Sequence, residues 1–596
     1  MSAPDLDHLR HTLAHLMASA VLKKYPHAKP TLGPPIENGF YYDFDFSQDA
    51  DSSGTDAEAM QNGAPGEADL KEIQKLMKKE LSQWTEFTHK EVTPEEARAL
   101  FKDNPYKLEM IDELAETGEP ITLYTCGGFT DLCRGGHLGA PHKEIDPDAF
   151  TLDRIAGAYW RGDESNAMLT RIYGLAFASK DELDAFLTQR EEARKRDHKK
   201  LGKELDLFVI DEKVGKGLPM WTPKGTAMKF ELENLTRELE RAYGYQHVET
   251  PYLGSEELYR TSGHLDHYSA NMYAPIDMDG EKYYLRPMAC PHHIRMFQRA
   301  SWSYRDLPVR YAEIADYNRF EKSGELMGMI RVRKFQLTDA HIFVAPEGLK
   351  EEFKSVCTMI AEGMRALGIA EIVSYRFSKR DPHNKEKYFP DDALWEKAEE
   401  TMKQALDELG FAYVEAEDEA AFYGPKLDVQ AKNVNGKEDT LFTAQMDFLL
   451  PEKFDIEYVD ADGQRKRPVM IHRSTIGSLE RVFGFLIEHY AGAFPLWLSP
   501  EQVRVIPITD THRAYAQDVC QQLRDADIRA ELDTSDDSLG KKIRAAKTQK
   551  VPYFLVIGDQ EVTSKEVKVE QRDGGSETLP TPALIERLSQ EIKERR

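Results

Sequence analysis

The sequence predicts an α+β protein built from several domains. Its 596 residues are enough for about three or four domains of ordinary size. In the middle of the chain, strand-like runs such as VRYAEIADY and TAQMDFLL follow one another with few helices between them, which favours an antiparallel sheet with helices packed on it. In the last part of the chain strands and helices alternate, which predicts an α/β domain with a parallel or mixed sheet.

The N-terminal part begins with a predicted helix over residues 5–24. Its apolar residues recur at helical spacing, and that spacing places His11 and His15 one turn apart on one face. The next segment, PTLGPPIENGFYYDFDF, predicts a turn and a strand because proline and glycine precede alternating aromatic residues. Residues 47–69 are poor in large apolar side chains, which predicts a flexible surface insertion before a helix over 70–84.

A highly charged run over 179–205 predicts a connecting helix between regions of different pattern. The predicted domains are therefore N-terminal over 1–178, central over 206–497 and C-terminal over 498–596. In the C-terminal domain, helices over 514–526 and 539–547 are expected between the strands VRVIPI, IRAEL and YFLVIG.

The composition predicts a soluble, cytoplasmic protein. The mean hydropathy is -0.58, and no apolar run approaches the roughly 18–20 residues that span a bilayer. The N-terminus lacks the features of a signal peptide, and five scattered cysteines do not form a disulfide framework. The net charge of -26 argues against non-specific nucleic-acid binding, although basic segments over 194–203 and 541–550 leave room for a local RNA contact.

Two pairs of metal-ligating residue types have the same spacing. His11 and His15 form one pair, and Cys133 and His137 form the other, each at i, i+4. Together they offer four nitrogen and sulfur atoms that could hold zinc, or could act without metal as acid–base groups around a bound water. The residues alone leave both interpretations open.

The segments that hold these pairs carry a family resemblance. RHTLAHLMASAVLKKYP, GPPIENGFYYDFDF and DLCRGGHLGAP closely resemble the editing domain of bacterial threonyl-tRNA synthetases, which alanyl-tRNA synthetases share. The resemblance implies hydrolysis of serine wrongly attached to threonine tRNA, with a cluster that positions water and does not require a metal. The residues it implies are His11, His15, Cys133 and His137, supported by Tyr42, Lys107 and Asp131.

The central region resembles the catalytic domain of the same family. The matching segments are ELYRTSGHLDHYSANMY, LRPMACPHH, RYAEIADYNRFEKSGELMGMIRVRKFQLTDAHIF and MIHRSTIGSLERVFGFLIEHYAG. The resemblance implies a class II antiparallel sheet, preceded by an α+β editing domain and followed by an α/β anticodon-binding domain. For ATP it implies the α-phosphate ligands Arg319 and Lys426, the adenine-side residues Glu321 and Phe335, and the further residues Arg331 and Arg481.

The resemblance also assigns the amino-acid site. Cys290, His341 and His472 match three zinc ligands of the family, although their wide separation follows no local spacing rule. Three protein ligands leave positions open for the amino and hydroxyl groups of threonine, which valine cannot fill. Asp339 matches an acceptor for the threonine hydroxyl, Tyr423 a contact to its amino group, and His264 a residue implicated in transfer to tRNA.

This sequence departs from the family pattern in several places. CPGH is CPHH here, HRNE is NRFE, and a tryptophan–glutamine pair is Asp439-Thr440. Leu337 replaces a glutamine of the threonine site. Glu561 matches an anticodon contact, whereas an arginine nine residues later is Glu570, for which Arg572 could substitute in a shifted register.

The resemblance implies a homodimeric threonine–tRNA ligase, with Pro251 at the dimer interface. Such an enzyme activates L-threonine with Mg²⁺ and ATP to threonyl-adenylate, then transfers threonine to the 3′ end of tRNA(Thr). It releases AMP and diphosphate. We also expect the family's N-terminal ubiquitin-like module to be missing. Two alternatives remain: a specialised or inhibitor-resistant paralogue, which Leu337 keeps open, and an RNA-binding regulator without catalysis.

Overall fold

The computed structural model describes residues 5–47 and 63–595. The chain forms two compact units, Met1–Arg190 and Glu191–Arg596. Within the described ranges, none of the helices has both the length and the apolar composition that crossing a membrane requires. Most of the predicted insertion over 47–69 lies outside the described residues, and its last residues already belong to a helix.

The first unit consists of short strands and helices around an antiparallel sheet. In order, its elements are α1 (Leu6–Lys24), β1 (Lys29–Pro30), β2 (Pro35–Ile36), β3 (Gly39–Asp45), α2 (Glu67–Glu80), β4 (Thr88–Val92), α3 (Pro94–Leu100), α4 (Pro105–Thr117), β5 (Ile121–Cys126), β6 (Phe129–Leu132), α5 (Pro141–Glu144), β7 (Phe150–Tyr159), β8 (Met168–Ala176) and the first part of α6 (Lys180–Arg196), which continues into the second unit. One sheet has the order β1-β3-β8-β7 with β2 beside β3, and a second has the order β4-β5-β6.

Helix α1 is the best buried helix of this unit. The Asp5 side chain caps it by accepting a hydrogen bond from the Asp7 N–H at 3.0 Å. Its residues from Leu9 to Val21 are buried apart from His11, and Leu13 and Met17 pack in one core with Phe40 of β3. This packing fixes the helix that carries the His11 and His15 pair.

The predicted single helix over 179–205 is wrong, because the chain forms two helices there. Helix α6 ends at Arg196, and α7 spans His198–Glu204. Asp197 separates them because its carboxylate accepts hydrogen bonds from the N–H groups of Lys199 and Lys200, which starts a new helix. The break places His198 at the first position of α7.

The central region of the second unit is built on an eight-stranded sheet. After α7, its elements are β9 (Phe208–Val209), β10 (Met220–Trp221), α8 (Pro223–Ala242), β11 (Gln246–His247), β12 (Leu253–Ser255), α9 (Glu256–Thr261), α10 (His264–His267), β13 (Ile276–Met278), β14 (Glu281–Leu285), α11 (Cys290–Phe297), β15 (Trp302–Ser303), β16 (Val309–Asn318), β17 (Lys334–Val344), α12 (Leu349–Ala366), β18 (Val373–Ser378), α13 (Asp392–Leu409), β19 (Tyr413–Ala416), β20 (Lys426–Lys432), β21 (Glu438–Asp447), α14 (Leu449–Lys453), β22 (Tyr458–Val459), β23 (Arg465–Lys466), β24 (Val469–Ser478) and α15 (Leu479–His489). The sheet order is β11-β16-β17-β24-β21-β20-β18-β19.

The six inner strands of this sheet are antiparallel, and the two edge strands pair in parallel. Helices α12 and α15 contribute Phe353 and Phe483 to the core beneath it. The prediction of an antiparallel sheet covered by helices is confirmed.

The C-terminal region has a five-stranded mixed sheet of order β26-β25-β27-β28-β29. Its elements are β25 (Val503–Pro507), α16 (Arg513–Asp525), β26 (Ala530–Leu532), α17 (Leu539–Thr548), β27 (Tyr553–Ile557), α18 (Asp559–Ser564), β28 (Glu566–Gln571), β29 (Ser576–Pro580) and α19 (Thr581–Lys593). The first three strands of the order are parallel and the remaining pairs are antiparallel, as the alternation of strands and helices predicts.

Candidate active site

Cys290, His341 and His472 come together on the central sheet. His341 of β17 and His472 of β24 are direct register partners, and Cys290 begins α11. All three side chains are buried, and one ligand atom from each lies within 4.8 Å of the others. The pairing of two strands therefore unites residues that stand far apart in the sequence.

Hydrogen bonds orient both imidazole rings of this cluster. The Asp447 carboxylate accepts from Nε2 of His472 at 2.7 Å, which leaves the Nδ1 lone pair free. The Glu313 carboxylate accepts from Nε2 of His293 at 3.0 Å, which leaves Nδ1 of His293 to accept from Nδ1 of His341 at 2.8 Å. His341 consequently keeps a free lone pair on Nε2. Burial lowers its pKa well below the usual range, which favours the neutral form that binds metal ions.

The donor set fits zinc. One thiol and two imidazoles, with each imidazole held by a carboxylate directly or through His293, are characteristic of zinc sites with an open coordination position. Burial raises the pKa of the Cys290 thiol well above its usual range, and a bound cation would offset that effect by stabilising the thiolate.

A cavity of about 250 Å³ surrounds this cluster. It is lined by all but two of the residues predicted for catalysis, ATP, threonine and zinc. These lining residues are Cys290, Arg319, Glu321, Arg331, Phe335, Asp339, His341, Tyr423, His472 and Arg481.

Arg319 and Arg481 are two of the cationic side chains that line this cavity. The guanidinium of Arg319 lies 5.0 Å from the centre of the Phe335 ring. Arg481 donates hydrogen bonds to the carbonyls of Ile330 at 3.2 Å and Thr440 at 3.0 Å. Burial, followed by the charge of Arg319, lowers the pKa of Arg481, but an arginine remains protonated at neutral pH. The two cations suit a polyanionic ligand.

Arg331 belongs to the segment that joins β16 to β17. Its guanidinium pairs with Glu321 at 2.8 Å and with Glu325 at 3.2 Å. The hairpin between β16 and β17 thus brings Glu321 and Arg331 into contact at the cavity wall.

Lys426 and His264 do not line this cavity. Lys426 is the register partner of Gln445, which does line it, and its ammonium pairs with Asp428 at 2.8 Å. His264 lies behind the wall, with Nε2 at 3.9 Å from the Cys290 sulfur and 3.3 Å from the Met288 sulfur. Burial lowers the pKa of His264 to about 3, so its ring is neutral.

Tyr317 and Gln445 are among the lining residues that neither the sequence pattern nor the family resemblance indicates. The Tyr317 hydroxyl donates to the Asp339 carboxylate, and the Tyr423 hydroxyl donates to the side chain of Gln445. Burial raises the pKa of Asp339. The signal that could have found Gln445 is strand alternation, because Thr443 and Gln445 are alternate residues of β21 and both line the cavity.

Two of the departures from the family pattern are also lining residues. Leu337 belongs to a small apolar group with Met288 and Phe335 at the cavity wall. Thr440 offers its carbonyl to Arg481, while its hydroxyl accepts a hydrogen bond from Gln430 at 2.8 Å.

A second cavity, of about 510 Å³, lies in the first unit beside the two His/Cys pairs. Nε2 of His11 is 3.2 Å from Nε2 of His15 and 3.5 Å from the Cys133 sulfur. Nε2 of His137 is 3.6 Å from the same sulfur, and Phe87 stacks on the His137 ring at 4.1 Å between centroids. The structure therefore joins the two pairs into one cluster.

Asp131 supports this cluster from beneath. Its carboxylate pairs with the buried Lys107 ammonium at 2.6 Å and accepts from the Tyr42 hydroxyl. Burial lowers the pKa of His137 to about 2 and raises that of Cys133 to about 11. Both groups are neutral near pH 7, so the cluster offers lone pairs and weak donors rather than charge.

The predicted anticodon contacts lie in the C-terminal region. Glu561 of α18 caps its own helix, since its carboxylate accepts from the Gly558 N–H at 2.8 Å. Glu570 of β28 pairs with Lys568 at 3.3 Å. Arg572 donates to the carbonyls of Phe494 at 3.1 Å and Lys550 at 3.0 Å, so its guanidinium is engaged by the protein's own backbone.

Known proteins are similar to this chain over nearly its whole length. The family model of the tRNA synthetase class II core domain (G, H, P, S and T) matches residues 273–490, and that of the anticodon binding domain matches 502–593. The chain is 48% identical over 592 residues to the threonine–tRNA ligase of Anoxybacillus flavithermus, which covers 99% of this chain and 89% of that protein. It is 48% identical over 595 residues to the threonine–tRNA ligase of Geobacillus kaustophilus, which covers 99% and 88%.

Among solved structures, the RNA binding domain of threonyl-tRNA synthetase from Cryptosporidium parvum Iowa II is similar, with a TM-score of 0.63 and 34% identity. It covers 66% of this chain and 98% of that one. A prolyl-tRNA synthetase from Cryptosporidium parvum, with a TM-score of 0.51 and 15% identity, covers 67% of this chain and 75% of that one and shares the fold.

Proposed function

Because the chain belongs to the threonine–tRNA ligase family, it joins threonine to tRNA with the use of ATP and Mg²⁺, and we propose that the cavity around Arg319, Arg481 and the Cys/His cluster carries this reaction. The observation that carries the proposal is the position of the zinc-type donor set in the same cavity as two arginines. A binding module without catalysis would have no need for that combination.

Cys290, His341 and His472 would hold the zinc ion. When bound there, zinc supplies open coordination positions for the amino and hydroxyl groups of threonine. Asp339 accepts a hydrogen bond from the threonine hydroxyl, and the buried Tyr317 hydroxyl holds that carboxylate in place. A buried acceptor left unpaired by valine costs enough to discriminate by a factor of roughly 10⁴.

Arg319 and Arg481 act on the phosphates of ATP. Arg319 neutralises the α-phosphate while the threonine carboxylate attacks it, and Arg481 binds the distal phosphates that leave as diphosphate. Phe335 stacks on adenine, and the ion pair of Glu321 and Arg331 lies at the adenine end of the ATP site. Because both arginines are fixed before ATP arrives, little reorganisation is needed in the transition state.

Lys426 and His264 act from outside the lining. Lys426 is the register partner of Gln445 in the sheet, and its ammonium reaches the α-phosphate after leaving Asp428. The neutral His264 lies beside Cys290 and takes part in transfer of threonine to the 3′ end of tRNA(Thr). Glu561 of the C-terminal region contacts the anticodon with the carboxylate oxygen that its helix cap does not use.

Threonine-dependent exchange of radiolabel between diphosphate and ATP tests the proposal. The wild-type protein loaded with zinc should exchange label with threonine and not with valine. Replacing His472 by alanine should abolish both the stoichiometric zinc and the exchange, while the circular dichroism spectrum stays unchanged. Unaltered zinc content in His472→Ala would contradict the ligand assignment, and absent exchange in the wild type would contradict the whole proposal.

We also propose that the second cavity hydrolyses seryl-tRNA(Thr). A hydroxyl-binding amino-acid site cannot reject serine strongly, so a second site must remove the product. His11, His15, Cys133 and His137 surround a position for a water molecule, and Lys107, Asp131 and Tyr42 hold the cluster. The same four donors satisfy the geometry of a metal cluster, but the hydrolysis we propose uses their neutral lone pairs on water.

Deacylation of pre-formed seryl-tRNA(Thr) tests the second proposal. The double variant His15→Ala, Cys133→Ala should lose this hydrolysis and keep full threonine-dependent exchange. A variant that still clears seryl-tRNA at the wild-type rate would contradict the assignment. Metal content of the first unit, measured in parallel, separates hydrolysis with metal from hydrolysis without it.

The enzyme is also proposed to be a cytoplasmic homodimer. Pro251 adjoins the exposed Tyr252, and the small sheet of β12, β13 and β14 exposes Ile276 and Met278 nearby. Exposed apolar side chains grouped in this way favour association with another protein surface. Sedimentation of wild type and Tyr252→Asp tests this interface, since a persistent dimer in the variant would argue against it.

A further inference from the structure

His198 stands outside the cavity but is tied to two elements that form it. It is the first residue of α7, and only 2% of it is exposed. Its Nδ1 lies 2.6 Å from the Glu488 carboxylate of α15, and its Nε2 accepts from the backbone N–H of Met329 at 3.1 Å. A carboxylate accepts a hydrogen bond and an N–H group donates one. Nδ1 must therefore donate and Nε2 must accept, which fixes a neutral ring with its proton on Nδ1.

The segment that His198 holds is the returning arm of the loop between β16 and β17. Ile330 and Arg331 of this arm line the cavity. Arg481 donates to the Ile330 carbonyl, so the arm is fastened to α15 at two points: directly by Arg481 and through His198 by Glu488. Arg481 and Glu488 are seven residues apart and therefore share one face of α15.

Two glycines make this close contact possible. Gly328 has a φ of 51°, and a Cβ atom on it would lie 2.1 Å from Nε2 of His198. A Cβ on Gly484 of α15 would lie 3.2 Å from atoms of both Met329 and Ile330. A side chain at position 328 would displace either the ring or the arm, because such a distance is far below van der Waals contact.

We propose that His198 is a positioning residue for ATP, which sets the returning arm against α15 so that Arg331 and Arg481 face the nucleotide together. The inference rests on the proposed role of this cavity in ATP binding. His198 touches neither ATP nor threonine. Its loss should therefore change the apparent affinity for ATP and leave the threonine site, on the neighbouring strands β17 and β24, unaffected.

Two conservative variants separate positioning from general stability. In His198→Gln the amide oxygen can take the place of Nε2 and accept from the Met329 N–H. In His198→Asn the amide nitrogen can take the place of Nδ1 and donate to Glu488. Each variant keeps one of the two side-chain bonds, so their effects on folding should be comparable, but only the glutamine variant holds the arm.

The experiment measures KM for ATP and for threonine in the exchange assay, with thermal unfolding of each variant. His198→Asn and His198→Ala should raise the KM for ATP about tenfold, in line with the loss of one buried hydrogen bond, and change the KM for threonine less than about twofold. His198→Gln should stay within about threefold of wild type for ATP. Gly328→Ala, which attacks the same contact from the loop side, should reproduce the ATP defect.

His512→Ala is the matched control. His512 is also a buried histidine bonded to a carboxylate, that of Asp559 at 3.0 Å, but it belongs to the C-terminal region. The His512→Ala variant should leave the KM for ATP and the KM for threonine unchanged. Equal KM values for ATP in the asparagine and glutamine variants, or equal shifts for ATP and threonine, would overturn the inference. Absence of exchange in the wild type would instead refute the proposed function.

Discussion

We expect Glu480 to make the stability of the central region depend on pH. Its carboxyl, 1% exposed, lies at the start of α15 next to Arg481, and it accepts from the Gln336 N–H at 2.8 Å. Burial raises its pKa from 4.5 to about 7, and only partial compensation comes from that hydrogen bond and from Lys334 and Lys229. A carboxyl with a raised pKa is most compatible with the fold when it is protonated.

The sign and size of the effect follow from linkage. Between pH 4.5 and about 7 the folded carboxyl retains a proton that the unfolded chain has lost, so the free energy of unfolding falls as pH rises through this window. At about 1.4 kcal/mol for each pH unit, the whole window corresponds to about 3 kcal/mol, of which about 1 kcal/mol falls between pH 6 and pH 8. Glu480→Gln keeps the acceptor for Gln336 and removes the titration.

The assay is urea unfolding of wild type and Glu480→Gln at pH 6 and pH 8. The sequence pI of about 5.2 makes lower pH values unsuitable, because a protein near zero net charge precipitates readily. The stability advantage of Glu480→Gln should grow by about 1 kcal/mol from pH 6 to pH 8. Glu249→Gln, at an exposed carboxyl, is the control and should show no such growth. An advantage of Glu480→Gln that is constant across this range would refute the reasoning.

Three further predictions concern the two sites. His293→Ala should weaken zinc binding by roughly 10–100-fold in a chelator competition, because His341 loses the partner that orients it. His293→Asn should recover part of the affinity. Equal affinities in both variants and the wild type would contradict the role of His293 in orienting His341. Leu337→Gln should lower the KM for threonine by roughly two- to tenfold, by adding a polar group to the cavity wall, and an unchanged KM would show that position 337 does not contact the amino acid. Hydrolysis of seryl-tRNA should show no break near pH 6.5, because burial lowers the pKa of His137 to about 2 and raises that of Cys133 to about 11. A histidine-like inflection there would contradict the neutrality of these groups.

The sequence predicts the layout of the fold because periodic patterns report local structure. The helix that carries His11 and His15 and the alternation at the C-terminus both follow from spacing. The break at Asp197 does not follow from spacing. The capping bond of an aspartate stabilises a helix start by only about 1 kcal/mol, and many aspartates inside charged runs remain helical. The position of His198 at the start of α7, which that break creates, therefore does not follow from the sequence pattern.

The cluster of Cys290, His341 and His472 could not be predicted from local patterns. No local sequence pattern unites Cys290, His341 and His472, and only the family resemblance predicts that they lie together, as the register of β17 and β24 shows for the two histidines. Register depends on which strands become neighbours, a non-local outcome that one sequence does not specify. His293 and Asp447 orient the cluster, and the sequence does not indicate their role because it too depends on which strands become neighbours.

The departures from the family pattern can be ranked by which part of the residue makes the contact. Thr440 holds Arg481 through its carbonyl oxygen, and any side chain at that position would provide the same acceptor. Leu337 has no such freedom, since its side chain itself forms part of the cavity wall beside Met288. Arg572 likewise spends its guanidinium on two backbone carbonyls, so it is not available to replace an arginine at position 570. A change in substrate or inhibitor response should therefore be sought first at Leu337.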